Sequence, residues 1–198
     1  KKRFIENDRL IIKKINQNFN ELSTIESLKI DYLEYIRYFN FNEKYITDKA
    51  PLNFRWIGFI KILFPNAKII HCSRDPKNNC LSMFKNLFEG GLPFTYDEND
   101  IVQYYKLYED LMKFWDDKFG DNILNIKYED MIKDNENEIK KIISFCNLDW
   151  EDKCLEFYNN KTPIKTMSTA QARQPIYKSS VKSFDKYSKF LKIIDQEL

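Results

Sequence analysis

The spacing of apolar residues divides the chain into a helical start and an alternating remainder. In the first forty residues, apolar positions recur three and four apart, which predicts helices over 8–19 and 24–39. Short apolar runs then predict strands over 44–48, 67–73 and 122–127. Helical spacing returns between and after these runs, and it predicts helices over 52–64, 77–89, 100–118, 135–146, 151–158 and 183–195.

Strands and helices that alternate along a chain are typical of an α/β fold with a parallel sheet flanked by helices. We therefore expect a core of this kind over residues 44–198, preceded by a helical segment over 1–43. The carboxyl ends of parallel strands meet at one edge, where ligands bind. Three polar clusters follow the predicted strands, and we expect them to converge: Asp48-Lys49, Ser73-Arg74-Asp75 and Lys127-Tyr128-Glu129.

Composition narrows the class of protein. The 198 residues are 43% hydrophobic and 31% charged, which is typical of a globular domain long enough to bury a core. The net charge is +2, and no run of lysine and arginine interleaves with aromatic residues, so we expect no nucleic-acid partner. No apolar run approaches the length of about 20 residues that a membrane span requires. The charged N-terminus does not resemble a signal peptide.

The cysteines predict neither a disulfide framework nor a zinc site. Cys72, Cys80, Cys146 and Cys154 show no CxxC spacing, and His71 is the single histidine of the chain. We therefore expect free thiols in a reducing compartment, the cytoplasm. Because His71 lies inside a predicted strand, we expect it to be structural and not a catalytic base.

Arg74 and Ser82 are the strongest candidates for binding an anion. Arg74 directly follows a predicted strand, and Ser82 lies eight residues further along, on the next predicted helix. Asp75 suits the N-cap of that helix, with Pro76 at its first position. A guanidinium fork matches a phosphate, a hydroxyl adds a hydrogen bond, and the positive helix end favours the anion. Alternatively, Arg74 pairs with a carboxylate and Ser82 is a surface hydroxyl.

Further candidates each have a plain structural alternative. Lys49 follows a predicted strand, where a cation could stabilise charge on a leaving oxygen, or it could be a solvated lysine. Tyr128 could face the ligand crevice or pack at the sheet edge. The polar stretch 166–181, which includes Arg173, could fold over an anion or be a surface loop. Neither GxxxxGK[ST] nor GxGxxG occurs, so the chain has no visible glycine-rich cradle for an anion.

Together, the order and spacing of these clusters resemble the PAPS-dependent sulfotransferase family, where PAPS is 3′-phosphoadenosine 5′-phosphosulfate. The run ITDKAPLNFRWIGFIKILFPNAKIIHCSRDPKNNCLSMF is similar to the middle of such enzymes. The later runs ILNIKYEDMI, FCNLDWEDKCLEFY and ARQPIYKSSV continue the match over about residues 44–190. The branch it most resembles is that of bacterial sulfotransferases with tetratricopeptide repeats, which are related to protein-tyrosine sulfotransferases. The resemblance implies a parallel sheet like that of P-loop NTPases.

The resemblance also implies which residues bind the nucleotide. Arg74 and Ser82 match the arginine and serine that bind the 3′-phosphate of PAPS. Tyr128 matches a tyrosine that contacts the nucleotide, and Arg173 falls in the loop that closes on the 3′-phosphate side. Asn86 stands where some relatives carry a further arginine, so one phosphate contact differs here.

For the transfer step, the resemblance implies roles for Lys49 and Ser168. Lys49 matches the lysine that assists departure of the leaving phosphate, and Ser168 matches a serine that steadies the sulfuryl group; no metal is implied. The family's Pro-Arg-Ser-Gly-Thr-Thr-like phosphosulfate loop has no counterpart, so we expect the core to be truncated at its N-terminus. The catalytic base of the nearest relatives is also unmatched, although carboxylates are present at Glu6, Glu21 and Glu43.

These observations predict a sulfotransferase domain that moves a sulfuryl group from PAPS to a hydroxyl or amine and releases adenosine 3′,5′-bisphosphate. The acceptor could be a peptide tyrosine, a glycan, a lipid or another small molecule, and the residues do not name it. Two alternatives stay open. One is a nucleotide or small-molecule kinase, which shares the sheet architecture, and the other is an inactive nucleotide-binding interaction domain.

Overall fold

A computed structural model describes residues 22–38, 44–88, 92–160, 173–176 and 183–198. The chain forms two compact units, Lys1–Ala67 and Lys68–Leu198. The boundary between the two units lies after Ala67. The boundary predicted from the sequence lies after residue 43, and the predicted division into a helical segment and a core stays a prediction. The helix predicted over 8–19 lies outside the described residues.

The first unit contains helix α1, Leu22–Tyr38, and helix α2, Ile57–Leu63. A 3₁₀ turn over Pro51–Trp56 precedes α2, so the predicted helix over 52–64 is present in two parts. Tyr32 of α1 packs on Phe64 with ring centroids 5.3 Å apart. The buried amine of Lys61 donates to the carbonyls of Pro65 and Ala67, which closes the turn after α2.

The strand predicted over 44–48 is wrong. Residues 44–50 are irregular and exposed, and Tyr45 and Ile46 are among the exposed apolar side chains. A strand forms where a partner strand satisfies its backbone groups and a core covers one of its faces. This stretch has neither within the part of the chain that the structure describes, so its apolar residues alone do not make it a strand.

In the second unit, strands β1, Ile69–Ser73, and β2, Ile123–Lys127, run parallel. Ile69 pairs with Ile123 and Ser73 with Lys127, so the strands end at the same level. Among the described residues these two strands form the whole sheet. The architecture is therefore a helix-dominated α/β arrangement with a small parallel sheet, which agrees with the predicted class in its main features.

The crossover between the strands contains α3, Pro76–Phe84, and α4, Glu98–Phe119. Parallel neighbours require such a connection because a tight turn cannot join them. Asp97 caps α4 by accepting from the amides of Asn99 and Asp100. After β2 come α5, Tyr128–Lys133, and α6, Asn135–Phe145. The sequence pattern did not predict α5.

The C-terminal part differs from the predicted helices in detail. The helix predicted over 151–158 is a 3₁₀ segment, Asp152–Asn159. The helix predicted over 183–195 divides into a 3₁₀ turn, Ser183–Lys186, and helix α7, Lys192–Glu197. The segment Ser183–Leu198 nevertheless buries apolar side chains against α3 and α4. The resulting core cluster comprises Cys80, Leu81, Ile101, Val102, Tyr105, Phe184, Leu191 and Ile194.

Candidate anion-binding site

Two of the three predicted clusters meet at the carboxyl edge of the sheet. Because Ser73 lies opposite Lys127, the residues that follow them, Arg74 and Tyr128, leave the sheet side by side. The guanidinium carbon of Arg74 lies 5.0 Å from the centroid of the Tyr128 ring. A cation over an aromatic face at this distance is attracted by the ring, and contacts of this kind contribute about 0.5–2 kcal/mol. Tyr128 therefore helps to orient the arginine.

Neighbouring helices hold the backbone at Arg74. The amide of Asp75 donates to Oε1 of Glu129 at 3.0 Å, so the first turn of α5 binds the turn that follows β1. From α4, the hydroxyl of Tyr105 approaches the carbonyl oxygen of Arg74 at 3.5 Å. Glu129 belongs to the polar cluster that follows β2, and its position in the sequence predicted no individual role for it. Its contact shows that it fixes the backbone beside the candidate arginine.

Asp75 is the N-cap of α3, as predicted. Its Oδ1 accepts from the backbone amide of Asn78 at 2.9 Å and from the side-chain amide of the same residue at 2.6 Å. The cap therefore occupies an amide of the first turn and places a carboxylate at the positive helix end. The N-terminal end of α3 is therefore less favourable for an anion than the sequence suggested, and Arg74 supplies positive charge beside it.

Ser82 lies half-buried in the second half of α3. Its carbonyl oxygen accepts from the side-chain amide of Asn86 at 2.6 Å. Asn86 therefore satisfies a carbonyl at the C-terminal end of the helix that carries Ser82. The meeting of the Ser82 hydroxyl and the Arg74 guanidinium on one anion stays a prediction.

The remaining candidates lie elsewhere. Lys49 belongs to the first unit and is exposed, while its neighbour Asp48 accepts from the hydroxyl of Tyr32 at 2.9 Å. The predicted convergence of Lys49 with the other two clusters stays a prediction. Arg173 is half-buried in the described stretch 173–176. Ser168 lies outside the described residues, as do the three candidate glutamates.

His71 is structural, as predicted. Asn125 donates its side-chain amide to Asp116 at 3.0 Å, so its oxygen faces His71 and accepts from Nδ1–H at 2.6 Å. Nε2 of His71 then accepts from the Tyr108 hydroxyl at 2.5 Å. Burial raises the pKa of Tyr108 to about 12, so this hydroxyl remains a donor near neutral pH. Both ring nitrogens are therefore hydrogen-bonded to protein side chains.

All four cysteines are free thiols, as expected from their spacing. Cys80 is completely buried in the core, and burial raises the pKa of its thiol to about 12.

Among the described residues, no group of histidine, cysteine and acidic side chains could hold a metal ion. In the same part of the chain, no helix has both the length and the apolar character needed to cross a bilayer.

The fold and the site define an α/β protein with an arginine-bearing edge beside a parallel sheet, an arrangement that suits anionic ligands. Residues 8–152 match the Sulfotransferase family, which is most of the chain. The chain therefore belongs to the sulfotransferase family. An "Uncharacterized protein" from Aquifex aeolicus (strain VF5) is 34% identical over 163 residues, which is 81% of this chain and 21% of that relative. The chain spans about a fifth of the length of this relative.

Proposed function

We propose that this chain is the nucleotide-binding part of a PAPS-dependent sulfotransferase. The bound donor would supply an activated sulfuryl group to a hydroxyl or amine, and adenosine 3′,5′-bisphosphate would be released. Membership of the sulfotransferase family supports this class of reaction. The observation that carries the proposal is the position of Arg74, over Tyr128 and beside the amide that Glu129 binds, at the carboxyl edge of β1 and β2.

The side chains at this edge suit a 3′-phosphate. A guanidinium uses its face to stack on an aromatic ring and its edge to donate to phosphate oxygens, so Arg74 can make both contacts at once. Ser82 is proposed to add a neutral donor from α3, the helix that begins two residues after Arg74. Tyr128 offers its ring to the nucleotide as well as to the arginine. Arg173 is proposed to approach the same phosphate from the loop that contains it.

In the transfer step, Lys49 is proposed to stabilise the negative charge that develops on the leaving oxygen. A cation fixed beside that atom favours the transition state because the charge there grows as the bond breaks. Ser168 is proposed to donate to the oxygens of the sulfuryl group. The core over 44–198 is proposed to have the parallel sheet of the P-loop-like class.

We also propose a bacterial, cytoplasmic enzyme. The resemblance to bacterial sulfotransferases supports a bacterial origin. The four free thiols support a reducing compartment such as the cytoplasm. The acceptor is proposed to carry a hydroxyl or an amine, as in a peptide tyrosine, a glycan or a small molecule.

Thermal melting with two nucleotides tests the donor. At a hundredfold excess over its dissociation constant, adenosine 3′,5′-bisphosphate should stabilise the protein by about 2.7 kcal/mol. For a chain of this size, that corresponds to a rise in melting temperature of about 5–10 °C. ATP at the same concentration should have a much smaller effect because it lacks the 3′-phosphate. Equal or greater protection by ATP would favour a kinase instead, and no protection by either would contradict a nucleotide site.

Lys49→Ala should separate binding from transfer. We expect the full-length protein to lose about 100-fold to 1000-fold in the rate of bisphosphate release from PAPS with acceptor present, because one charge-stabilising group is removed. Its affinity for adenosine 3′,5′-bisphosphate should stay within about twofold. Lys44→Ala is the matched control, since Lys44 is exposed on the same stretch and lies over the Tyr45 ring at 5.2 Å. Transfer at the wild-type rate in Lys49→Ala would remove Lys49 from the mechanism.

A further inference from the structure

Asn78 connects the candidate site to the C-terminal part of the chain. Its side chain is in the first turn of α3 and only 8% exposed. Its nitrogen donates to Oδ1 of Asp75 at 2.6 Å, and its oxygen accepts from the amide of Phe184 at 2.9 Å. The hydroxyl of Ser183 lies 3.4 Å from the same oxygen. One buried amide therefore bridges the N-cap of α3 and the start of the C-terminal segment, Ser183–Leu198.

Lys77 makes a second connection between the same two parts. Its amine donates to the carbonyl oxygen and to Oδ1 of Asp195, both at 2.7 Å. The same amine lies 5.8 Å from the centroid of the Phe184 ring, which is buried in the core. Two adjacent residues of α3 thus bind both the beginning and the end of the C-terminal segment.

The C-terminal segment also binds α4, through contacts that do not involve α3. Oε2 of Glu98 accepts from the amides of Ile193 and Ile194 at 3.1 and 3.4 Å. Lys106 pairs with Glu197 at 2.6 Å. When the Asn78 side chain is removed, these contacts still hold the segment on α4. The first turn of α3 keeps its connection through Lys77 but loses the one through Asn78, and this turn lies between Arg74 and Ser82.

We propose that Asn78 is a positioning residue for the anion site, and that it couples nucleotide binding to docking of the C-terminal segment. The proposal rests on the proposed function, because the nucleotide is its ligand. Asn78 fixes the start of α3 and so fixes where Ser82 lies relative to Arg74. Since coupling between two equilibria is reciprocal, the bound nucleotide should in turn strengthen the contact between Asn78 and the Phe184 amide.

Asn78→Leu tests the coupling from the side of the ligand. Leucine keeps the approximate volume of the side chain but can neither donate to Asp75 nor accept from Phe184. By calorimetry, we expect adenosine 3′,5′-bisphosphate to bind about tenfold more weakly, a typical size for a coupling of this kind. Lys106→Met is the matched control, because it breaks one contact of the same segment with α4 and leaves α3 intact. Its affinity should stay within about twofold of wild type.

Hydrogen exchange tests the coupling from the other side. In the wild type, the bisphosphate should slow exchange in a peptide that contains Ser183 and Phe184 more than in a peptide from the middle of α4. In Asn78→Leu this additional slowing should disappear. If Asn78 were only structural, Asn78→Leu would lower the melting temperature. In the wild type, however, the bisphosphate would then slow hydrogen exchange at Phe184 no more than in the middle of α4.

The possible failures are distinguishable. If the wild type does not bind adenosine 3′,5′-bisphosphate, the proposed function is wrong, and the role of Asn78 falls with it. If the wild type binds it but Asn78→Leu binds equally well while folded, the positioning role is wrong and the proposed function stands.

Should Asn78→Leu not fold, Lys77→Met replaces it, because that side chain is only partly buried and contacts the same segment. A loss of affinity in Lys77→Met but not in Lys106→Met supports the coupling, and equal affinities in both overturn it.

Discussion

Replacing Arg74 with alanine should weaken binding of adenosine 3′,5′-bisphosphate by about 2–5 kcal/mol, or about 30-fold to 5000-fold in Kd. The size follows from the geometry. Arg74 is half-buried, it is oriented by the Tyr128 ring, and the Asp75 carboxylate lies at the neighbouring helix end. Without the guanidinium, a doubly charged phosphate would lie near that carboxylate with less positive charge to offset it. Isothermal calorimetry at fixed salt measures the loss.

Two further substitutions identify what the guanidinium contributes. Arg74→Lys keeps the charge but loses the planar fork and most of the stacking on Tyr128, so its affinity should lie between wild type and Arg74→Ala. Arg55→Ala removes an exposed arginine of the first unit and should leave binding unchanged. If Arg74→Ala and Arg55→Ala gave the same affinity, the 3′-phosphate would have to bind elsewhere.

The elements that the sequence predicted well are those with strong local determinants. The apolar run of β1 is followed by Asp75-Pro76, which caps and starts α3 within two residues. Helix α4 has a long stripe of apolar residues between the Asp97 cap and Gly120. In both cases the chain carries the information for the element and for its ends, and little depends on distant contacts.

The elements that were missed depend on tertiary contacts. Residues 44–48 contain apolar and β-branched side chains, but no neighbouring strand pairs with them in the described structure. The segment Ser183–Leu198 has helical spacing over its whole length, yet it turns at residues 187–190 and places Phe184 and Ile194 in one core. A periodic pattern identifies the buried face but not the point at which packing interrupts the helix.

The candidate site was predictable in one respect and not in another. Parallel topology alone predicts that residues after β1 and β2 meet, and Arg74 and Tyr128 do so. The supporting contacts link residues far apart in the chain: Asp75 with Glu129 over 54 positions, and Asn78 with Phe184 over 106. Among these four residues, the sequence indicated a structural role only for Asp75, as the N-cap of α3.

Ile194→Ala should cost about 2–5 kcal/mol in the free energy of unfolding, measured by urea denaturation. Ile194 has no exposed surface, and it belongs to the core cluster formed with α3 and α4. Its backbone amide binds Glu98, and alanine keeps that bond, so the substitution removes only the packed side chain. The cavity would lie between the C-terminal segment and the two helices of the crossover.

Two control variants separate packing from a general effect at the C-terminus. Ile194→Val should cost about 0.5–1.5 kcal/mol, because it removes one methylene from the same site. Phe190→Ala removes a larger side chain four residues earlier, but that ring is 68% exposed, so its loss should stay within about 0.5 kcal/mol. Equal costs for Ile194→Ala and Phe190→Ala would mean that α7 does not stabilise the second unit. Costs that decrease from Ile194→Ala through Ile194→Val to Phe190→Ala would show that α7 completes the core. This core supports α3, the helix that carries Ser82.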